Sequence, residues 1–281
     1  MIPRILLLTL CMVMVGVPSA FAVFGGDEVD LTNDTAPFPW KKADSYIEQG
    51  TILTYGSSYW RVVDGAPTGS GVYQPFLTFG ATGVEEGLNT DAVATNANPI
   101  YDDARTTNSF TRAVLWSDLG TVLYQGNPYY SFTFDINEAG VGSDGRFLSI
   151  ENLRLYSGAT NTATSISSFQ GLSIQWMMNP DTVVLTDASL ASSGSGNDDV
   201  EVLIPYVAPP ASEPWMYLYV HAGAWGLEDV SGRDFSSMGG FEEVRGFLAV
   251  TPPPPNGVPE PATLLFLGAG LLGLVMVARR R

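Results

Sequence analysis

The sequence predicts an all-β fold, a single antiparallel β-sandwich of jelly-roll-like type, and three observations predict it. Between residues 51 and 250, about ten to twelve short runs rich in β-branched and aromatic residues follow one another, with turn residues between them. No stretch of a dozen residues in that block repeats its apolar positions every 3.6 residues, as a helix would. The composition is rich in glycine (30), phenylalanine (14), tyrosine (12) and tryptophan (6), while lysine occurs only at Lys41 and Lys42. That balance suits an exported β domain better than a helical one. No internal repeat or composition break divides the block, so residues 23–250 are read as one ectodomain.

Residues 23–42 show no clear period. Pro37 and Pro39 hold their stretch extended. Strands are expected at 51–55 and 58–63, separated by Gly56 and Ser57. The next is expected at 72–79, where Pro75 marks an edge or a bulge. Residues 80–105 read as a long polar surface loop. The cleanest pattern is 129–136, where Tyr130, Phe132, Phe134 and Ile136 alternate with Tyr129, Ser131, Thr133 and Asp135. Such alternation marks a strand with one face in the core. After a turn at 137–145, a strand is expected at 147–156 with a bulge near Asn152. Further strands are expected around 172–176, 182–186, 200–206, 215–222 and 241–250. In 215–222, Met216, Leu218 and Val220 take one face; Tyr217, Tyr219 and His221 take the other.

The two ends carry different signals. Arg4, the apolar run 5–17 and the small residues Ala20 and Ala22 predict a secretory signal peptide over 1–22, cut after Ala22. The one cysteine, Cys11, lies inside that segment, so the mature chain forms no disulfide and its core alone must hold it. At the other end, 251–258 is a proline-rich spacer. Pro259, Glu260 and Pro261 follow, then an uncharged apolar run over 262–278, then Arg279, Arg280 and Arg281. Seventeen residues in a helix reach about 25 Å. That is short for a hydrocarbon core of about 30 Å, a gap that snorkelling arginines close. The basic cluster predicts that this end faces the cytoplasm.

This tail resembles the PEP-CTERM sorting signal, in which a Pro-Glu-Pro motif, a glycine-containing apolar helix and an arginine cluster occur in that order. The resemblance implies an exported protein of a Gram-negative, exopolysaccharide-producing bacterium. It also implies an exosortase as partner, an inner-membrane intermediate held by 262–278, and cleavage near the motif that sends the protein to the envelope or exterior. It covers the tail alone and implies nothing about what the rest of the chain does.

Charge and residue inventory narrow the remaining choices. Setting aside Arg4, Glu260 and Arg279–Arg281, the chain holds 28 acidic and 9 basic residues, a net charge of −19. Such a surface repels nucleic acid and anionic lipid and attracts divalent cations. One histidine, His221, excludes a three-histidine or H-E-x-x-H zinc site. There is no G-x-S-x-G elbow around any serine. The acidic doublets Glu85-Glu86, Asp102-Asp103, Asp198-Asp199 and Glu242-Glu243 are not catalytic pairs in themselves, because neighbours on a strand point to opposite faces. The run from Asp135 through Asn137 to Asp144 begins like a calcium loop. It has Ala139 at the fifth position and Arg146 where a bidentate glutamate is required, so only a looser oxygen-ligand calcium site is expected, there or at Asn197-Asp198-Asp199. Trp215, Tyr217, Tyr219 and Trp225, and also Tyr129 and Trp60, are candidates for a sugar-stacking platform, since an aromatic face covers the apolar side of a sugar ring. The expectation is a non-enzymatic exported protein with a structural or polysaccharide-binding role and no cofactor beyond calcium. The alternative is a secreted glycan hydrolase using His221 and carboxylates.

Overall fold

The computed structural model describes residues 28–32, 35, 39–49, 52–63, 74–92, 111–138, 146–163, 172–190, 198–224 and 233–249. The signal peptide, the proline-rich spacer and the whole sorting tail lie outside these residues. Among the described residues, no helix is long and apolar enough to cross a membrane.

Strands dominate. In chain order they are β1 (Glu28–Asp30), β2 (Lys41–Gln49), β3 (Ile52–Val62), β4 (Leu77–Phe79), β5 (Thr82–Gly83), β6 (Glu85–Leu88), β7 (Val114–Leu115) and β8 (Val122–Tyr124). They continue with β9 (Asn127–Asp135), β10 (Phe147–Gly158), β11 (Leu172–Met178), β12 (Val183–Asp187), β13 (Val200–Pro205), β14 (Trp215–Ala222), β15 (Ser237–Met238) and β16 (Glu242–Gly246). Two single 3-10 turns, Trp116–Asp118 and Ala188–Leu190, are the only helical pieces among the described residues.

The all-β expectation holds, but the hydrogen bonding is more continuous than two separate sheets. Fourteen strands join in one sheet, with the main order β1-β12-β10-β11-β2-β3-β13-β9-β16-β4; β14 runs beside β10, β6 and β7 beside β14, and β8 beside β9. Strands β5 and β15 form a small separate pair. All pairs are antiparallel except β1 with β12, which is parallel. The hairpin β2–β3 carries the continuity, because β2 also pairs with β11 through Tyr46↔Met177 and its neighbours. The sheet curls over on itself: Leu153, Leu155, Trp176 and Val220 from one half share a single core cluster with Trp60, Phe132, Phe134 and Val202 from the other.

The local patterns explain which residues line that core. On β9, Tyr130, Phe132 and Phe134, with Ile136 just beyond, all point inward as the alternation predicts. On β14, Met216, Leu218 and Val220 do the same. The bulge expected near Asn152 lies where the β10–β14 register shifts between Ile150 and Asn152. Other expectations need correcting. Gly56 and Ser57 do not separate two strands; β3 runs through them, and Gly56 pairs with Ser45 inside the hairpin. The polar stretch after Gly80 opens with β5 and β6, and β6 pairs with β14 through Glu85↔Ala222 to Leu88↔Tyr219.

Backbone segments approach closely where β4, β6, β9 and β16 end together. A Cβ on Gly240 would lie 1.9 Å from the Asn137 carbonyl oxygen, and one on Gly80 would lie 2.2 Å from the Gly240 carbonyl oxygen. Only glycine lets these strands cross so tightly. The crossing sets the entrance to β16 against the end of β9.

Candidate functional site

The outward face of the β3–β13–β9–β16 half carries a set of linked charged and polar side chains. Strand alternation puts Trp60 in the core and turns Tyr59 and Arg61 outward. The register then lines up Arg61 (β3), Glu201 (β13), Thr133 (β9) and Arg245 (β16) in one row across four strands. The groups in this row are tied together. Arg61 donates to Glu201 Oε2 from Nε at 2.9 Å and from Nη2 at 2.6 Å. Ser131 Oγ donates to Glu201 Oε1 at 2.6 Å. Arg245 Nε donates to Asp198 Oδ1 at 3.0 Å and to Thr133 Oγ1 at 3.2 Å, and its Nη2 reaches Asp198 Oδ2. These groups, with Gln74, Phe247 and Leu248, line a groove of about 580 Å³.

Arg61, which lines the groove, also touches a cluster of aromatic rings. The Arg61 guanidinium lies over the Trp40 ring, 4.3 Å from its centroid. Trp40 packs on Tyr124 at 5.4 Å, Tyr124 on Tyr59 at 4.7 Å, and Tyr59 on Tyr129 at 5.8 Å between centroids. Tyr59 and Tyr124 are half-buried, while Phe247 and Leu248 are 45% and 42% exposed. Burial among these rings raises the Tyr129 hydroxyl above its ordinary pKa. The result is a locally neutral groove of fixed donors and acceptors beside apolar rings, set in a strongly acidic chain. Fixed guanidinium–carboxylate pairs offer hydroxyl groups both donors and acceptors, and rings offer stacking surface.

Of the aromatic residues proposed from sequence, Tyr129 packs in this ring cluster, Trp60 is buried in the core, and those of β14 lie elsewhere. Tyr217 and Tyr219 do share the outward face of β14, but that face is covered. Tyr217 is 0% and Tyr219 5% exposed, packed with Leu88 and Tyr156 in a second apolar cluster, against which the half-buried Trp215 also rests. The Tyr217 hydroxyl donates to the Thr160 carbonyl. Neither tyrosine offers a ring face to a ligand, and Trp225 lies outside the described residues.

His221 stands on the same face as those tyrosines. Its Nδ1 lies 3.4 Å from Glu151 Oε2 and its Nε2 lies 3.7 Å from Glu86 Oε1. Hydrogen bonding to Glu151 raises its pKa, against the opposing effect of burial. Ser149 Oγ donates to the other oxygen of Glu151. The connectivity is therefore serine–glutamate–histidine, whereas a nucleophilic relay needs the imidazole between hydroxyl and carboxylate.

The calcium loop expected from Asp135, Asn137 and Asp144 falls partly outside the described residues, since Asp144 is beyond them. Asp135 is buried and sits opposite Glu243 across the β9–β16 ladder. Burial and the nearby Asp135 push the Glu243 carboxyl up to about 7. On the other face of the same strands, a group that sequence spacing does not show comes together: Glu85 of β6, Glu138 just after β9, and Glu242 of β16. Each offers one carboxylate oxygen, and these oxygens all lie within 4.8 Å of one another. Glu85 and Glu242 are 0% exposed and Glu138 is half-buried. The doublets Glu85-Glu86 and Glu242-Glu243 split as strand geometry requires, one carboxylate inward and one outward, and the inward members converge.

The chain has no match among curated proteins and none among solved structures. Residues 257–281 match the model of the PEP-CTERM protein-sorting motif. That motif implies export and passage through a membrane towards the cell envelope, with an exosortase as processing partner. This chain therefore carries a PEP-CTERM sorting domain at residues 257–281, attached to an all-β body.

Proposed function

We propose that the protein is a non-enzymatic component of the extracellular matrix, released by cleavage near Pro259–Pro261, whose curled sheet acts as a jelly-roll-like sandwich that binds polysaccharide. The signal peptide delivers it, residues 262–278 hold it in the inner membrane, and the spacer at 251–258 keeps the cleavage motif clear of the folded body. The observation that carries the binding role is the outward row Arg61–Glu201–Thr133–Arg245 beside the Trp40–Tyr124–Tyr59 rings. Its guanidinium and carboxylate groups are held by one another, so they are already in place to meet hydroxyl pairs. The rings alongside offer the flat apolar contact that a pyranose needs.

Two measurements test this reading. Intact mass of the protein recovered from native culture medium is expected to show a species beginning at Val23 and ending between Val258 and Pro261. A chain found only in membranes and ending at Arg281 would make the tail a permanent anchor. Separately, affinity electrophoresis through host exopolysaccharide is expected to retard the protein. The double variant Tyr59→Ala/Arg61→Ala should lose at least tenfold in affinity, about 1.4 kcal/mol, with an unchanged circular dichroism spectrum. Equal retardation of both proteins would remove this face from the binding role.

A further inference from the structure

We propose that Glu85, Glu138 and Glu242 form a calcium site inside the rim of the folded sheet, independent of the polysaccharide-binding face. Both oxygens of Glu242, and Oε1 of both Glu85 and Glu138, are buried without a well-aligned hydrogen bond, their near neighbours being one another and the Ser237 hydroxyl. The second oxygens of Glu85 and Glu138 are positioned by backbone N–H groups, from Ala81 at 3.1 Å and Met238 at 2.7 Å. Each of these two side chains is thus held by one of its oxygens. No arginine, lysine or histidine among the described residues forms an ion pair with any of the three. Buried charge without a counter-charge is strongly unfavourable. Something must therefore neutralise the group, either a proton shared between carboxyls or a cation.

The geometry suits calcium. Calcium takes oxygen ligands at about 2.3–2.6 Å, so two oxygens on one ion stand at most about 5 Å apart. The three ligand oxygens here lie within 4.8 Å of one another. Three carboxylates give the charge density that a hard divalent ion selects, and the half-buried Glu138 is where an ion and its remaining waters would enter. The three ligands come from β6, the segment just after β9, and β16, around the crossing of Gly240 and Asn137. A bound ion would therefore fasten β6, β9 and β16 together at the end of the sheet. Such a clasp stands in for the disulfide that the cysteine-free body cannot make.

The test uses the purified, signal-cleaved protein, treated with a chelator and returned to metal-free buffer at pH 7.5. Isothermal titration with calcium chloride is expected to show one ion per chain, with a Kd of roughly 10⁻⁴ M or tighter, the range of extracellular calcium modules. Calcium at 5 mM, about fifty times that Kd, should raise the melting temperature by several degrees by mass action. Glu242→Gln should abolish both responses while the metal-free variant melts no lower than the metal-free wild type. If that variant fails to fold, Glu138→Gln, at the half-buried position, should weaken calcium binding at least tenfold. Absence of binding heat and of any calcium-dependent melting shift would overturn the proposal and leave a shared proton as the neutralising agent. An equal calcium response in the glutamine variants would overturn it too, by placing the ion elsewhere. An equal response to magnesium would overturn the assignment to calcium.

Discussion

Replacing Trp60 by alanine is expected to destabilise the folded body by about 3–5 kcal/mol, the usual range for removing a fully buried tryptophan. Trp60 is 0% exposed and lies in the core cluster shared by both halves of the curled sheet. Its ring sits 6.3 Å from that of Phe134, and its Nε1 donates to Ser58 Oγ at 3.2 Å inside the same strand. The alanine variant loses the ring contacts, leaves a cavity and leaves Ser58 without that donor. β3 is also the strand that joins β2 to β13, so the cavity opens at the seam on which the closure of the sheet depends. A domain of this size shifts by about 2–4 °C per kcal/mol, so the melting temperature should fall by roughly 6–20 °C. Leu123→Ala, at a residue 79% exposed on β8, is the control and should leave it unchanged. A small effect at Trp60 would mean that the two halves of the sheet do not share one core.

How much of this was legible in the sequence depends on the range over which the information acts. Strict alternation made β9 and the inner face of β14 readable, because one buried face leaves a period of two along a single strand. The bulge near Asn152 was readable for a similar reason. Strand β2 was missed because its sequence, KKADSYIEQ, has few apolar residues. It becomes a strand by pairing with β3 and β11, not by its own pattern. The tail motif was readable because its parts are contiguous. The two sites were not. Arg61, Glu201, Thr133 and Arg245 are separated by up to 184 positions and meet only through register. Glu85, Glu138 and Glu242 meet only because glycines let three strand ends cross. Their doublets did carry a usable signal. A carboxylate beside another on a strand must turn one of the two inward, and an inward carboxylate requires a partner. The tyrosines of β14 misled in the opposite way, since alternation shows that a face is not the main core without showing whether a second layer covers it.

The metal-free protein is expected to become less stable as the pH rises from about 4.5 to 7, contrary to the common rise over that range for proteins whose carboxylates are ion-paired. Burial lifts the Glu85 and Glu138 carboxyls from 4.5 to about 7 and lifts Glu242 well above its ordinary value; Glu85 and Glu138 add repulsion at Glu242. Between pH 4.5 and 7 the folded chain therefore holds protons that the unfolded chain has released. Stability falls with pH wherever the folded state binds more protons. This contribution is intact below the unfolded pKa and is lost as the pH passes the folded one. Glu85 and Glu242 titrate together, so the loss belongs to the group and not to either carboxyl alone. His221, whose pKa is also raised in the fold, changes stability in the same direction as it deprotonates. Thermal melts in chelator at pH 5, 6, 7 and 8 should show the midpoint dropping by at least 6 °C between the ends of the series. With 5 mM calcium the drop should largely disappear, because the ion occupies the site only when the carboxylates are ionised. A midpoint that rises with pH in chelator would mean that the three carboxyls are ionised and neutralised by a partner within the chain, and would remove the physical basis for an ion between them.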